Sequence, residues 1–171
     1  MAILSFHSKS NKFTVLLEEN KLKFYKTAKI ILKNDEDVYD ALQDALLSMY
    51  QNYDTLKDKN LFSTWGTRIV INKSYDFLRK VKNNVLDLDE TIENDIKISS
   101  FDEYDIDKYG IKQAINEYLS DDQKLVVILF YYDDYSIKEI SNILDIPEGT
   151  VKSRLSKARD ILKENLKKEM I

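Results

Sequence analysis

The chain has 171 residues, of which 43% are hydrophobic, and it carries a formal net charge of −4 at pH 7. This length suits one or two small domains with modest cores. The absence of cysteine excludes disulfide bonds and thiolate zinc sites, and three glycines with one proline favour long helices over a turn-rich β fold. No window of about 18 residues is continuously apolar, and the first residues lack the basic and apolar segments of a signal peptide. We therefore expect a cytoplasmic protein without membrane insertion.

The negative charge is concentrated in one block of the chain. Residues 1–85 carry 14 basic and 10 acidic side chains, a net charge of +4, and residues 108–171 carry 11 of each. Residues 86–107 carry nine acidic side chains against Lys97, a net charge of −8. The chain outside this block is therefore basic or neutral, which is compatible with a nucleic-acid partner.

Hydrophobic periodicity predicts three helices in the first half of the chain. They are expected over about residues 12–33, 35–53 and 61–82, with a polar loop at 54–60. Asp35 and Asp37 are the candidate N-caps of the second helix. Trp65 falls on the apolar side of the third helix, so we expect it to pack in the core rather than to stack on a base.

The second half is predicted to hold an acidic linker followed by a helical domain. Residues 83–108 are rich in acids, show no sustained 3.6-residue period and are interpreted as an extended linker that repels itself. Two capping boxes are expected in residues 109–171: Ser120 with Gln123, and Ser136 with Glu139. The first of these precedes the apolar run LVVILFYY, which we therefore interpret as a buried helix rather than a strand.

The stretch from Ser136 to Lys163 has the pattern of a helix-turn-helix. A short helix is followed by a turn at Asp145-Ile146-Pro147 and by a longer helix from about Glu148. The longer helix places Val151, Leu155, Ala158 and Leu162 on one side, and Lys152, Ser153, Ser156, Lys157, Arg159 and Lys163 on the other. The polar side suits a DNA major groove while the apolar side packs on a partner helix. An ordinary solvated surface is the alternative interpretation.

The same stretch carries a family resemblance. The run SIKEISNILDIPEGTVKSRLSKAR, and its PEGTVKSRLSKAR portion in particular, resembles region 4 of extracytoplasmic-function (ECF) sigma factors. In that family the longer helix recognises the promoter −35 element as duplex DNA. The resemblance assigns this role to Glu148, Gly149, Thr150, Lys152, Ser153, Arg154, Ser156 and Lys157.

Residues 37–80 resemble region 2 of the same family. Three acids of the second helix lie at i, i+3 and i+7 beside a glutamine, and such a stripe can dock on a basic partner, although a solvated face is the alternative. The resemblance makes the partner core RNA polymerase, through the clamp helices of its largest subunit, and adds the polymerase flap as a second contact. The residues assigned to polymerase binding are Asp37, Asp40, Gln43 and Asp44. Tyr39 stands where the family usually has an acid, and Gly66 where it usually has a large apolar residue.

The third helix presents two cations, an amide and an aromatic ring on one face, a composition that suits single-stranded DNA. These residues are Arg68, Asn72, Tyr75 and Arg79. The resemblance makes this face and the preceding loop the site that binds the melted −10 strand and captures a flipped base. The loop residues so assigned are Thr55, Leu56, Lys57, Asp58, Lys59 and Asn60.

The sequence thus predicts an all-α fold of two small helical domains, residues 1–82 and 109–171, joined by the acidic flexible linker at 83–108, the second domain being a helix-turn-helix. We expect an alternative sigma factor that binds core polymerase and both promoter elements and promotes melting. An anti-sigma factor is a further expected partner. No catalytic, cofactor or metal motif is present, so we expect no enzyme activity. The alternatives are a stand-alone helix-turn-helix regulator that binds duplex DNA without polymerase, and a helical adaptor or inhibitor that binds only protein.

Overall fold

The described part of the chain is helical. The computed structural model describes residues 2–32, 34–86 and 111–169, and it contains no strand in these ranges. The α-helices there are α1 Ala2–Ile31, α2 Asp35–Asn52, α3 Phe62–Leu86, α4 Ile111–Tyr118, α5 Asp121–Tyr131, α6 Ile137–Leu144 and α7 Glu148–Glu169. Two short 3₁₀ turns, Tyr53–Thr55 and Lys59–Leu61, connect α2 to α3. The prediction of an all-α fold is confirmed. Of the described helices, none has the length and apolar character needed to cross a membrane.

Helices α1, α2 and α3 pack against one another around an aromatic core. The ring of Phe13 lies edge-on to those of Tyr53 and Phe62, with centroids 5.3 and 5.8 Å apart. Trp65 packs on Phe62 at 5.8 Å between centroids, as expected for a core residue. Burying a side chain such as Phe62 contributes about 1.5–3 kcal/mol, and edge-to-face pairs add about 0.5–1.5 kcal/mol. This core fixes the directions in which α2 and α3 present their polar faces.

The start of α1 and the cap of α2 differ from the prediction. Helix α1 begins at Ala2, ten residues earlier than expected, because residues 2–11 include no proline or glycine that would end a helix. The N-cap of α2 is Asn34, not Asp35 or Asp37, since the Asn34 side chain accepts the backbone N–H of Asp37 at 2.7 Å. Asp35 instead accepts a hydrogen bond from Lys29 Nζ at 2.6 Å, which lowers the pKa of that carboxyl.

The end of α3 also differs. The helix continues to Leu86, four residues past its predicted end, so residues 83–86 are not part of an extended linker. Residues 83–86 again include no proline or glycine that would end a helix. The rest of the predicted linker, residues 87–108, lies outside the described residues.

Helices α4 to α7 form a second packed group, and its caps are those predicted. Ser120 and Ser136 each form a capping box with the residue three positions further on. Helix α5 buries six consecutive residues, 124–129, so the apolar run in it is a buried helix and not a strand. After α6, Asp145 adopts the left-handed conformation with φ of 56°. This ends α6 and turns the chain towards α7.

The two groups of helices contact each other through α3 and α6, and hydroxyl groups lie at the centre of the contact. Tyr135, just before α6, is 5% exposed, and its hydroxyl oxygen lies 2.8 Å from both Ser63 Oγ and Thr67 Oγ1 on α3. Burial raises the pKa of the Tyr135 phenol, so the hydroxyl keeps its proton at neutral pH. From α1, Lys23 Nζ donates to the Asp133 carbonyl at 3.2 Å and lies 4.5 Å from the centre of the Tyr135 ring.

Gly66 allows α1 and α3 to approach closely. A Cβ atom at this position would lie 2.4 Å from Phe24 Cζ and 2.9 Å from Phe24 Cε1. Phe24 is fully buried, and its ring packs on Phe62 at 6.2 Å between centroids, so it has little room to move. The glycine therefore has a packing role within a continuous helix.

Replacing Gly66 by alanine is expected to destabilise the protein. Alanine gains about 1 kcal/mol of helix propensity, whereas overpacking a filled core costs about 1–3 kcal/mol. The 2.4 Å contact favours the upper end of that cost, so we expect a net loss of about 1–2 kcal/mol in urea unfolding followed by circular dichroism. The matched control is Gly149→Ala, where a Cβ would meet no atom within 4 Å and stability should be unchanged or raised. A Gly66→Ala variant as stable as the parent would contradict this account.

Candidate nucleic-acid interface

The turn between α6 and α7 is fixed by hydrogen bonds. Ser141 Oγ donates to the Ile146 carbonyl at 2.6 Å, and Ile146 N donates back to the Ser141 carbonyl at 3.2 Å. The Pro147 carbonyl accepts the N–H groups of Thr150 and Val151 at 2.9 and 3.2 Å. Helix α7 therefore starts in a defined direction, and the positive end of its dipole favours an anion at that point.

One face of α7 is buried and the opposite face is open, as predicted. Val151, Leu155 and Ala158 are buried against the neighbouring helices. The residues predicted for the opposite face are all exposed: Lys152, Ser153, Ser156, Lys157, Arg159 and Lys163. The open face therefore presents cations and hydroxyls to any molecule that approaches the helix.

Arg154 and Gly149 differ in their surroundings from the other residues assigned to this helix. Arg154 lies at the edge of the open face and pairs with Asp122 on α5, so it braces α7 within the chain. Gly149 is exposed, and a Cβ there would meet no protein atom within 4 Å. A helical glycine costs about 1 kcal/mol against alanine, and the packing around Gly149 does not require one. A bulky partner lying close to the start of α7 would require it.

The acidic stripe on α2 is largely open to solvent. Asp40, Gln43 and Asp44 are exposed, whereas Asp37 is half-buried and accepts a hydrogen bond from Asn34 Nδ2 at 2.7 Å. Within the described residues no group of three or more His, Asp or Glu side chains could hold a metal ion. The stripe is therefore a charged surface. Asp37 also hydrogen-bonds the N-cap residue Asn34 and so stabilises the start of α2.

Two large hydrophobic residues of α2 are exposed, and one of them, Leu47, was not singled out from the sequence. Leu47 is 56% exposed and Tyr39 is 62% exposed. Leu47 follows Asp44 by three positions and Asp40 by seven, so it extends the acidic stripe by one turn. Its helical spacing to these two acids was a signal that could have identified it from the sequence. Apolar side chains beside charges are typical of a protein-binding surface.

The connection between α2 and α3 is built from two 3₁₀ turns rather than an irregular loop. Lys59 Nζ donates to the Tyr53 carbonyl at 2.6 Å and lies 3.7 Å from the centre of the Tyr53 ring. Asn60 N donates to Asp58 Oδ1 at 3.0 Å, and Leu56 packs against the core. Lys59 and Leu56 therefore shape the connection. The exposed residues of the assigned loop are Thr55, Lys57, Asp58 and Asn60.

Three of the four assigned residues of α3 meet at one surface pocket. Asn72, Tyr75 and Arg79 line it together with Asp76 and Leu78. Asn72 and Arg79 are exposed, and Arg79 pairs with Asp76 one turn earlier. The pocket thus combines an amide, an aromatic ring and a cation at the surface.

Arg68 and Tyr75 face the C-terminal helices. Arg68 Nη2 lies 3.6 Å from Asp145 Oδ2, in the turn before α7. Tyr75 is half-buried, and burial, followed by the negative charges of Asp122 and Asp121, raises the pKa of its phenol. Tyr75 therefore lies near the start of α5. Arg68 remains exposed, and Tyr75 packs against the core.

Two family models match the chain. The model of sigma-70 region 2 matches residues 16–84, and the model of sigma-70 region 4 matches residues 112–162. The first match falls on α1 to α3, and the second on α4 to α7. Together they cover more than half of the chain.

Known proteins resemble the chain over most of its length. The RNA polymerase sigma factor SigV of Bacillus subtilis is 30% identical, covering 90% of this chain and 90% of its own. The ECF RNA polymerase sigma factor SigW of the same organism is also 30% identical, covering 91% of this chain and 89% of its own.

Solved structures agree with these matches. The sigma factor RpoE in complex with the anti-sigma factor NepR from Bartonella quintana aligns with a TM-score of 0.69 at 26% identity, covering 92% of this chain and 96% of that chain. CnrH in complex with the cytosolic domain of CnrY aligns with a TM-score of 0.63 at 19% identity, which supports the fold alone. From the two family matches and the relatives that span nearly the whole chain, we conclude that this protein belongs to the ECF group of the sigma-70 family of RNA polymerase sigma factors.

Proposed function

We propose that this alternative sigma factor binds its promoters through two domains, residues 1–86 and 109–171, with the acidic segment 87–108 as their linker. The observation that carries the proposal is the open polar face of α7 opposite a buried apolar face, in a helix-turn-helix that matches sigma region 4. We expect it to act with polymerase in the cytoplasm, as the sequence predicts. A partner of the anti-sigma type is proposed as well, because the RpoE relative is seen in complex with NepR.

Helix α7 reads the −35 element in the major groove in this proposal. Lys152, Ser153 and Ser156 face the base edges, since their short or flexible polar side chains lie on the open face near the start of the helix. Lys157 and Arg159 neutralise phosphates. The first turn, Glu148–Thr150, lies nearest to the DNA backbone, where the space at Gly149 permits close approach. Arg154 acts through Asp122 by holding α7 in place.

The α3 face and the two 3₁₀ turns before it bind the melted −10 strand. Asn72 and Arg79 are exposed at the surface pocket and are available to the strand directly. Tyr75 offers a ring on which a base can stack, a contact of about 1–3 kcal/mol. The loop residues Lys57 and Asn60, just before α3, are exposed and extend the proposed strand-binding surface.

Helix α2 docks on the clamp helices of the largest polymerase subunit, while the C-terminal domain contacts the flap. The acids Asp40 and Asp44 steer association with a basic surface, and Leu47 supplies apolar contact area beside them. SigV and SigW, the relatives described above, are themselves RNA polymerase sigma factors.

Removing the acidic charges of α2 is expected to weaken polymerase binding. The double variant Asp40→Asn/Asp44→Asn should raise the Kd for purified core polymerase about 5- to 30-fold, equivalent to about 1–2 kcal/mol, and lower run-off transcription at limiting sigma concentration. The matched control is Glu18→Gln/Glu19→Gln, which removes two exposed acids from α1 and should leave both measurements unchanged.

The same assay distinguishes the alternatives. A stand-alone regulator would bind duplex DNA but add no initiation to core polymerase, and a protein-only adaptor would bind neither. Equal polymerase affinity in the α2 variant and the parent would contradict the assignment of α2, whereas no association of the parent protein at low salt would contradict the proposed function itself.

Replacing Lys157 by alanine is expected to weaken DNA binding in a salt-dependent way. One phosphate contact contributes about −0.9 to the slope of log K against log salt concentration. Binding of a random-sequence 30-base-pair duplex, followed by fluorescence anisotropy between about 50 and 200 mM salt, should therefore show the slope reduced by about 1. The exposed α1 lysine variant Lys21→Ala serves as the charge-matched control. A slope change of the same size in the control would contradict the proposal that Lys157 contacts DNA.

A further inference from the structure

Helix α2 carries two neighbouring rows of exposed side chains. Residues four positions apart lie one above the other on a helix surface, and one such row is acidic and consists of Glu36, Asp40 and Asp44. A second row runs beside it and consists of Tyr39, Gln43 and Leu47. The exposed surface of α2 therefore combines carboxylates with a row that begins at an aromatic ring and ends at a leucine.

Tyr39 places an aromatic ring inside an acidic surface. Residues 35–40 contain four acidic side chains, and the side chain of Tyr39 is 62% exposed among them. The face of an aromatic ring is electrically negative because of its π electrons. The ring therefore continues the negative surface of its acidic neighbours without adding a formal charge to α2.

A second tyrosine orients this ring. The ring of Tyr25, on α1, lies 6.1 Å from the ring of Tyr39 between centroids, with 40° between the two planes. The Tyr25 hydroxyl donates to Asp35 Oδ1 at 3.1 Å, and Asp35 also accepts from Lys29 Nζ at 2.6 Å. Tyr25 itself packs against the core. Tyr39 is therefore held in place from α1 while most of its side chain remains open to solvent.

The ring and its acidic neighbours fit an arginine better than a lysine. A guanidinium group is planar and weakly hydrated, so it stacks on an aromatic ring while its N–H groups bond a carboxylate. Glu36 precedes Tyr39 by three positions and lies next to it on the helix surface. A lysine ammonium is a strongly hydrated point charge that cannot stack. The arrangement therefore favours an arginine that contacts the ring and a carboxylate together.

We propose that Tyr39 is a cation–π site that receives an arginine side chain of core RNA polymerase. The inference rests on the proposed docking of α2 on the polymerase, and it adds a residue and a kind of contact to that surface. Charge complementarity identifies the occupant, because the carboxylates around Tyr39 select a basic partner and the ring selects a cation that can stack. Tyr25 acts as a positioning residue for the ring.

A series of fluorinated rings at position 39 tests the contact. Fluorine withdraws electrons from the ring, which weakens its attraction for a cation but leaves its apolar area in place. Tyr39→Phe should keep the Kd for purified core polymerase within about twofold of the parent value. The Kd should then rise in steps through monofluoro-, trifluoro- and pentafluorophenylalanine, introduced by amber suppression. We expect a total rise of about three- to tenfold, equivalent to about 0.6–1.4 kcal/mol.

Two further changes control this series. Tyr39→Leu keeps an apolar side chain without a π face and should show the same loss as the pentafluoro ring. Phenylalanine and pentafluorophenylalanine at Tyr131, which is exposed on α5, should bind polymerase equally well. Thermal unfolding should confirm that each variant folds, as expected for exposed positions.

The outcomes separate this inference from the proposed function. A Kd that stays constant along the series, or that falls with fluorination as an apolar contact would require, would overturn the cation–π site while polymerase binding by the parent upholds the proposed function. No association of the parent protein with core polymerase would overturn both.

Photo-crosslinking identifies the occupant of the site. With p-benzoylphenylalanine at position 39, the complex with core polymerase should yield a cross-linked peptide of the largest subunit that contains an arginine. Changing that arginine to lysine should weaken binding about as much as Tyr39→Leu, and it should cost nothing further in the Tyr39→Leu background. A cross-link to another subunit, or fully additive losses from the two changes, would overturn the assignment.

Discussion

Helix α3 has to satisfy neighbours on several sides, and that constraint organises the described structure. One side packs into the aromatic core, where Gly66 gives Phe24 the room it needs. A second side meets the hydroxyl of Tyr135 through Ser63 and Thr67. A third carries the polar residues around the surface pocket. The position of α3 therefore links core packing, contact between the two helix groups and the proposed strand-binding face.

The contact between the helix groups combines polar bonds with one buried aromatic ring. Each hydrogen bond between hydroxyls replaces a bond to water and contributes only about 0.5–1.5 kcal/mol net. The Tyr135 ring is buried in the same cluster as the core residues of both groups, and such burial contributes about 1.5–3 kcal/mol. A wholly apolar interface of the same extent would hold the two surfaces together more firmly.

The sequence predicted most of the fold because the local signals were strong. The capping boxes at Ser120 and Ser136, the buried helix α5 and the two faces of α7 all follow from patterns within a few residues. Helix ends were less well predicted at α1 and α3, where short segments without a clear apolar period, proline or glycine are compatible with both helix and loop. The cap of α2 was misplaced because Asn34, Asp35 and Asp37 are all good caps by type.

The sequence predicted each surface of the candidate site separately. It did not predict how these surfaces lie relative to one another. The pairing of Arg154 with Asp122 and the contacts of Arg68 and Tyr75 with the C-terminal helices depend on tertiary packing. Gly66 is the clearest case, since its neighbour Phe24 is 42 positions away in the chain. A pattern of local periodicity carries no information about such pairs.

Hydroxyl-radical footprinting on promoter DNA tests the central claim most directly. With core polymerase present, the account predicts protection at two positions about 25 base pairs apart, because each domain binds one promoter element. Protection at only one position in the polymerase complex would contradict the account.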